Sequence, residues 1–445
     1  MARLLATTVT SREWETHRVN NTTFPLAVCL DGTPGAYSVR EGMPENEKVL
    51  FFFEGGGWCS LLNGTTIESC LRRTKTVVGT GSACTTCDAT GGYMSTDPVI
   101  NPAFHDWTIV YAHYCDGASF SGRLLDPVEV TGGDGTTTPL YFRGNYILEA
   151  ITTEALSSIN RNISHLVIGG ASSGAMAACL HGEQIMELVQ PLQLKEETQF
   201  AYFLEGGFFP DWDEPTYPLS PISPLTFSGW MKDVYNLNNA TDSLPKKCIE
   251  ETDEENHFRC MFPENILPGL EKPYFVFQAD YELYQTPFIL GWNNVDIGTD
   301  DPGPPLIPWS NVTDYAQNLR NLLLSSTKNP EISPTGIFVP ACMMHCAFQH
   351  GTYDSDLYVN TTVNDLAYNT ALAKWLNEWL DSTELPPASQ GGHYKWIHGE
   401  NELPFTVEQC AAGLTKDMDT SVGSNGNVPH LLPWLLATVV LIKFF

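Results

Sequence analysis

Positive charge is what this 445-residue chain has least of: 23 Lys and Arg stand against 52 Asp and Glu, a net charge of −29. Nucleic acid needs basic surface to neutralise phosphate, and anionic lipid needs polybasic segments, so neither is an expected partner. Charge of either sign is scarce, at 17% of residues against about 25% in ordinary proteins. An acidic disordered chain is nevertheless excluded, because 22 Phe, 17 Tyr and 11 Trp supply a large core. No internal repeat is present. With 36 Gly and 30 Pro the chain reads as a loop-rich domain, not a helical bundle or coiled coil. No second Cys-x-x-Cys follows Cys84-Thr-Thr-Cys87 at finger spacing, so no metal is expected. No Gly-Lys-Ser/Thr follows the glycine run 55–57, so that run is not a phosphate loop.

Twelve cysteines and seven Asn-x-Ser/Thr acceptors (Asn20, Asn21, Asn63, Asn162, Asn239, Asn311 and Asn360) are present. An even cysteine count and an excess of acceptors lead us to expect disulfides and an extracellular or cell-surface location. Residues 1–25 form an N-terminal segment with too short an apolar stretch for a signal peptide. After a polar tail, 396–430, the segment 431–445 is hydrophobic. Its stretch Leu431–Ile442 would span about 18 Å as a helix, short of the ~30 Å hydrocarbon core. Small residues near Ser421–Ser424, a polar spacer and this tail form the pattern of a GPI-anchor signal. A short transmembrane tail or a packed terminal helix is the alternative.

Five short apolar runs are each followed by Gly or small residues: Val49–Phe53, Thr108–Tyr114, His165–Ile168, Tyr274–Phe277 and Ile337–Val339. They are near-continuous instead of alternating, as strands buried on both faces of a parallel sheet are. Helical spacing is seen over 146–159, 175–188, 313–324 and 365–380. The fold class expected is α/β, a mostly parallel sheet with helices on both faces. Residues 26–395 would form the catalytic domain, with the Pro-rich aromatic stretch 191–272 as a cap-like insertion.

The chemistry concentrates at strand ends. Gly170-Ala-Ser172-Ser-Gly174 sits between a strand and a helix, the context of a nucleophile elbow, where flanking glycines permit a strained turn that presents the serine hydroxyl. A serine nucleophile needs a histidine base, and the base needs an acid; in the hydrolase arrangement the order along the chain is Ser, acid, His, the last two each just after a later strand. Asp280 and Glu282 follow Tyr274–Phe277; His345 follows Ile337–Val339, with His350 as the fallback. Glu54-Gly-Gly-Gly-Trp58 follows the first run, where backbone donors for an oxyanion belong.

These motifs, with Ala27–Tyr37, Phe53–Cys59, Asn101–Phe104, Tyr114–Phe120, Phe142–Gly144 and Cys342–Cys346, resemble the pectin acetylesterase family, which includes the Notum-type carboxylesterases. The resemblance runs from about Ala27 to Asn377. It implies an α/β-hydrolase fold, with Ser172 as nucleophile, His345 as base, and the N–H groups of Gly56, Gly57 and Ser173 as the oxyanion hole. The chain departs from the family at the acid, where Tyr281-Glu282-Leu-Tyr-Gln285 has Glu in place of Asp; Asp280 is the alternative acid. It departs again at Ser173, where the family usually has Ala. The resemblance implies hydrolysis of O-acetyl esters on a cell-wall polysaccharide such as pectin, through an acyl-serine, with no cofactor. The alternatives are a Notum-like lipid–protein deacylase and a catalytically silent glycan-binding surface protein on the same scaffold.

Overall fold

In a computed structural model, the chain is described over residues 12–410, apart from 61–66, 84–88, 160–161, 193–197, 215–224, 291–308, 328–331, 333, 350–351, 382–392 and 399–409. Nine strands form the main sheet: β1 (Trp14–Arg18), β2 (Ala36–Arg40), β3 (Lys48–Phe53), β4 (Thr108–Ala112), β5 (His165–Ala171), β6 (Gln199–Glu205), β7 (Tyr274–Phe277), β8 (Thr335–Val339) and β9 (His393–Ile397). Their spatial order is β1-β2-β4-β3-β5-β6-β7-β8-β9. β1, β2 and β4 pair antiparallel; from β4 onward the sheet is parallel.

Strand side chains alternate between faces, so each central strand feeds two cores. Phe51, Phe53, Ile168, Leu204 and Val276 pack in one core, with Ile147, Ile151, Met176 and Leu319. These come from helices α1 (Gly144–Ser158), α2 (Ser173–Val189) and α4 (Trp309–Ser326), which cover that face together with α3 (Phe227–Asn238). Leu50, Phe52, Val167, Phe203 and Phe275 point the other way, against Leu372, Trp375 and Trp379 of α5 (Tyr368–Asp381). Burial on both faces is why these strands carry no polar alternation.

Three segment boundaries differ from expectation. The insertion read as 191–272 contains β6, which lies between β5 and β7 at the centre of the sheet. Its apolar run Phe200–Leu204 is hidden by polar and Pro-rich neighbours. The segment 1–25 contributes the edge strand β1. The polar tail, read as starting at 396, begins inside β9, and Cys410 is tied back to Cys342 by a disulfide. The hydrophobic segment 431–445 and the Ser421–Ser424 region lie outside the described residues.

The register aligns the carboxyl ends of the strands. Phe53 pairs with Gly170, Ala171 with Glu205, Glu205 with Phe277, and Phe277 with Phe338. Every candidate site residue follows one of these ends, at the edge where open α/β sheets bind ligands.

Candidate active site

Ser172 follows the last residue of β5 and caps α2 with φ 57° and ψ −130°. For a residue with a Cβ this is a strained conformation, of the kind that persists only where the surroundings over-determine it. The surroundings do so through backbone. Ser172 N–H donates to Glu205 O at 2.8 Å, and Met176 N–H donates to Ser172 O at 3.1 Å. A Cβ on Gly174 would lie 2.3 Å from Phe53 O and 2.4 Å from Glu54 O, so only glycine lets α2 begin against the end of β3. Gly55 in turn lies against the elbow, with its Cβ position 2.8 Å from Ser172 Cβ. Helix α2 aims the positive end of its dipole at this turn.

The base and acid come from the loops after β8 and β7. Glu282 is fully buried, and its Oε1 pairs with His345 Nδ1. Its Oε2 accepts the Gln285 N–H. Asp280 is engaged elsewhere: Arg320 Nε donates to its Oδ1 at 3.0 Å and Arg320 Nη2 to its Oδ2. The structure therefore brings Glu282, and not Asp280, to His345. A carboxylate on Nδ1 fixes the tautomer, leaving Nε2 as the proton acceptor of the neutral ring. Nε2 has no hydrogen-bond partner among the described residues. His350 lies outside them.

The two loops are held together along their length. Tyr281 bridges Met343, and Leu283 N–H donates to Met344 O at 3.4 Å. Gln285 spans from Tyr315, whose hydroxyl donates to its Oε1 at 2.6 Å, to Phe208 O at 2.9 Å. The His345 ring stacks on Tyr284, with centroids 5.4 Å apart, and faces Phe209 at 6.1 Å. Gly206 brings the end of β6 against the histidine, its Cβ position 2.5 Å from His345 O. Glu205 therefore separates two segments of the site, with its carbonyl on Ser172 and the next residue on His345.

The glycine loop converges on the residue after the nucleophile in an unexpected way. Gly56 and Gly57 N–H both donate to Ser173 Oγ, at 2.8 and 2.9 Å. The amides expected to face an open oxyanion hole are engaged by a side-chain hydroxyl. Gly57 has φ 65°, a conformation glycine adopts without strain. Behind the loop, Arg73 is buried and donates to Gly56 O and Trp58 O; desolvation pushes its pKa below the usual guanidinium value.

Several contributors were not legible from the sequence. Glu205 is buried and accepts from Tyr93, from Tyr368 at 3.3 Å and from Ala347 N–H at 2.9 Å, pinning the loop that carries His345. Burial pushes its pKa up to about 7. Tyr284, Phe209, Arg73, Tyr114 and Ser119 form the rest of the surroundings. Their sequence signals are the Tyr114–Phe120 block and, for Tyr284, its place in Tyr281–Gln285, and neither by residue type proclaims a role for them. Among the described residues no group of three or more His, Cys, Asp or Glu could hold a metal ion. Among the described residues four disulfides are formed, Cys29–Cys115, Cys59–Cys70, Cys248–Cys260 and Cys342–Cys410. Cys59–Cys70 closes the chain between the glycine loop and the short helix bearing Arg73. Cys179 and Cys346 are buried and take part in none of these disulfides, and Cys84 and Cys87 lie outside the described residues.

Comparison with known proteins identifies the family and the fold. The family profile described as Pectinacetylesterase matches residues 8–386. Pectin acetylesterase 5 of Arabidopsis thaliana is 32% identical over 268 residues, 59% of this chain and 56% of its own length. Pectin acetylesterase 7 of the same plant is 25% identical over 80% of this chain and 84% of its own length. The palmitoleoyl-protein carboxylesterase Notum of Schmidtea mediterranea is 25% identical over 60% of this chain and 49% of its own length. The match thus spans little more than half of the first of these relatives. Among solved structures, the Wnt deacylase Notum from Drosophila superposes with a TM-score of 0.69 at 22% identity, over 91% of this chain and 100% of that one. The shared fold is the α/β-hydrolase fold, and the chain belongs to the pectinacetylesterase family.

Proposed function

We propose that this protein is a serine esterase that removes O-acetyl groups from a cell-wall polysaccharide such as pectin. Neutral His345 takes the proton of Ser172 as Ser172 Oγ attacks the acetyl carbonyl. Glu282 holds the ring and stabilises the imidazolium that forms. The imidazolium then protonates the departing sugar oxygen, leaving an acetyl-serine. Water, activated by the same histidine, releases acetate and restores Ser172. The observation that carries this reading is the His345–Glu282 pair, a buried carboxylate on Nδ1 with Nε2 unpartnered among the described residues, together with a serine held at positive φ at the strand-to-helix turn.

A short acyl group is favoured by the aromatic packing beside the site. Trp58, next to the glycine loop, contacts Phe209 at 4.8 Å, Trp230 at 6.1 Å and Tyr284 at 6.1 Å, and Tyr284 stacks on Phe288 at 4.4 Å. Rings that fill one another's space leave little room for a long chain. The four disulfides, with exposed acceptor asparagines at Asn20, Asn21, Asn162 and Asn239, support action outside the cell or at its surface.

Acetate release from acetylated pectin and from phenyl acetate tests this reading. Ser172→Ala should lose on the order of 10⁶ in kcat for phenyl acetate, as loss of a triad serine does, with an unchanged melting profile. Retained activity in that variant would remove Ser172 from the reaction.

A further inference from the structure

The mechanism leaves one polar group at the centre of the site without a task. Ser173 Oγ is fully buried and accepts from both Gly56 and Gly57 N–H, at 2.8 and 2.9 Å. Donors at about 2.7–3.1 Å are what the oxygen of a tetrahedral intermediate requires. The hydroxyl therefore stands where an oxyanion would stand with respect to these two amides. Next to it is Tyr114, whose ionisation the Ser173 side chain influences. The Tyr114 hydroxyl donates to Gly57 O and accepts from Ser119 N–H at 2.9 Å. Ser119 Oγ donates to Ser173 O at 2.8 Å and accepts from Trp58 Nε1 at 2.8 Å. Ser119 and Phe120 both hold positive φ, 51° and 58°, so this network is maintained against backbone strain.

We propose that the Ser173 hydroxyl is the resting occupant of the oxyanion hole, keeping the Gly56 and Gly57 amides aligned, and that it rotates away when the acyl oxygen arrives. This rests on the esterase reading above. The physical case is one of differential binding. Exchanging a neutral hydroxyl for a neutral ester carbonyl on the same two donors changes little, because both make ordinary hydrogen bonds. Exchanging it for an oxyanion gains, because hydrogen bonds to a charged acceptor are roughly twice as strong. The exchange thus favours the transition state over bound substrate. The released hydroxyl turns about its Cα–Cβ bond. Ser173 is in this sense a positioning residue: it touches no substrate at rest and acts through the two glycine amides.

The test compares wild type with Ser173→Ala and Ser173→Thr. Removing the competitor should tighten binding of trifluoroacetophenone, which forms an oxyanion on the nucleophile, by about tenfold in Ser173→Ala, with KM for phenyl acetate changed less. The added methyl of Ser173→Thr hinders rotation and should weaken the same ligand. Weaker inhibitor binding in Ser173→Ala, in step with a fall in kcat, would mean that the hydroxyl serves the intermediate directly, and would overturn the proposal; equal affinity would also overturn it. The hydrogen bonds themselves are read without turnover, from the amide proton shifts of Gly56 and Gly57. These should move upfield in Ser173→Ala, and unmoved shifts would sink the proposal even if the enzyme is active. An inactive wild type whose shifts do move would instead count against the esterase reading.

Discussion

The two halves of the site are built from different materials. The nucleophile half, the elbow and the glycine loop, is made of backbone: Ser172 N–H on Glu205 O, a helix start wedged against Phe53 O and Glu54 O, and glycines where no side chain fits. The acid–base half is made of side-chain pairs between segments far apart in sequence: Glu282 with His345, Asp280 with Arg320, Gln285 with Tyr315 and Phe208. Backbone geometry constrains which residue types can stand at neighbouring positions, and so leaves a local motif. Side-chain pairing constrains partners that only the fold brings together, and leaves none. The halves should also fail differently when altered, the first in folding and the second in chemistry or charge balance.

The largest difference is expected within the acid–base half itself. Glu282→Gln should lose on the order of 10⁴ in kcat for phenyl acetate, the scale seen when a triad carboxylate becomes an amide. Asp280→Asn should stay within about tenfold in kcat and instead lose about 3–5 kcal/mol of stability, because the buried Arg320 guanidinium loses the negative charge that faces it. Steady-state kinetics and urea unfolding on both variants separate the two. Equal losses of kcat would mean that the division of labour between these carboxylates is wrong.

Gly174→Ala sharpens the contrast from the other side. Its Cβ would meet two backbone carbonyls that cannot swing aside. A loss of about 3 kcal/mol in unfolding free energy is expected, the upper end for overpacking a tight site, and activity should fall only as far as folded protein is lost. Normal stability with vanished activity would show that the elbow is less tightly wedged than described.

The last contrast is in pH dependence. Burial raises Asp116, Glu205 and Glu264 each to about 7. Between roughly pH 4.5 and 7 their unfolded counterparts ionise while the folded groups keep their protons. The folded state then binds more protons, so stability falls as pH rises through that window. Melting temperature should accordingly be higher at pH 5 than at pH 7.5, and Glu205→Gln should flatten the slope. A melting temperature that climbs steadily over this range would contradict the assignment.

Legibility followed the same division. The run Tyr274–Phe277 coincides with β7, and the helix read over 175–188 lies within α2, because strands buried on both faces and glycine-bounded turns write their rules locally. The edge strand β1 and its neighbour β2 pair antiparallel outside the parallel core and show no continuous apolar run, so nothing in the sequence marks them. β6 was lost inside a Pro-rich stretch, although it is the strand that joins the two halves of the site. At the site, Ser172 and the glycine loop stood out by spacing. The choice between Glu282 and Asp280 depended on Arg320, forty positions further along on α4. The engagement of Ser173 with Gly56 and Gly57 had no local signature at all, because the partners lie more than a hundred residues apart.

The central claim is that Ser172, activated through His345 and Glu282, is the nucleophile. A fluorophosphonate reacts covalently only with a serine so activated, and peptide mapping by mass spectrometry identifies which one. The account predicts a single adduct on Ser172, absent in Ser172→Ala and strongly slowed in Glu282→Gln. No adduct, or one on Ser173, would contradict it.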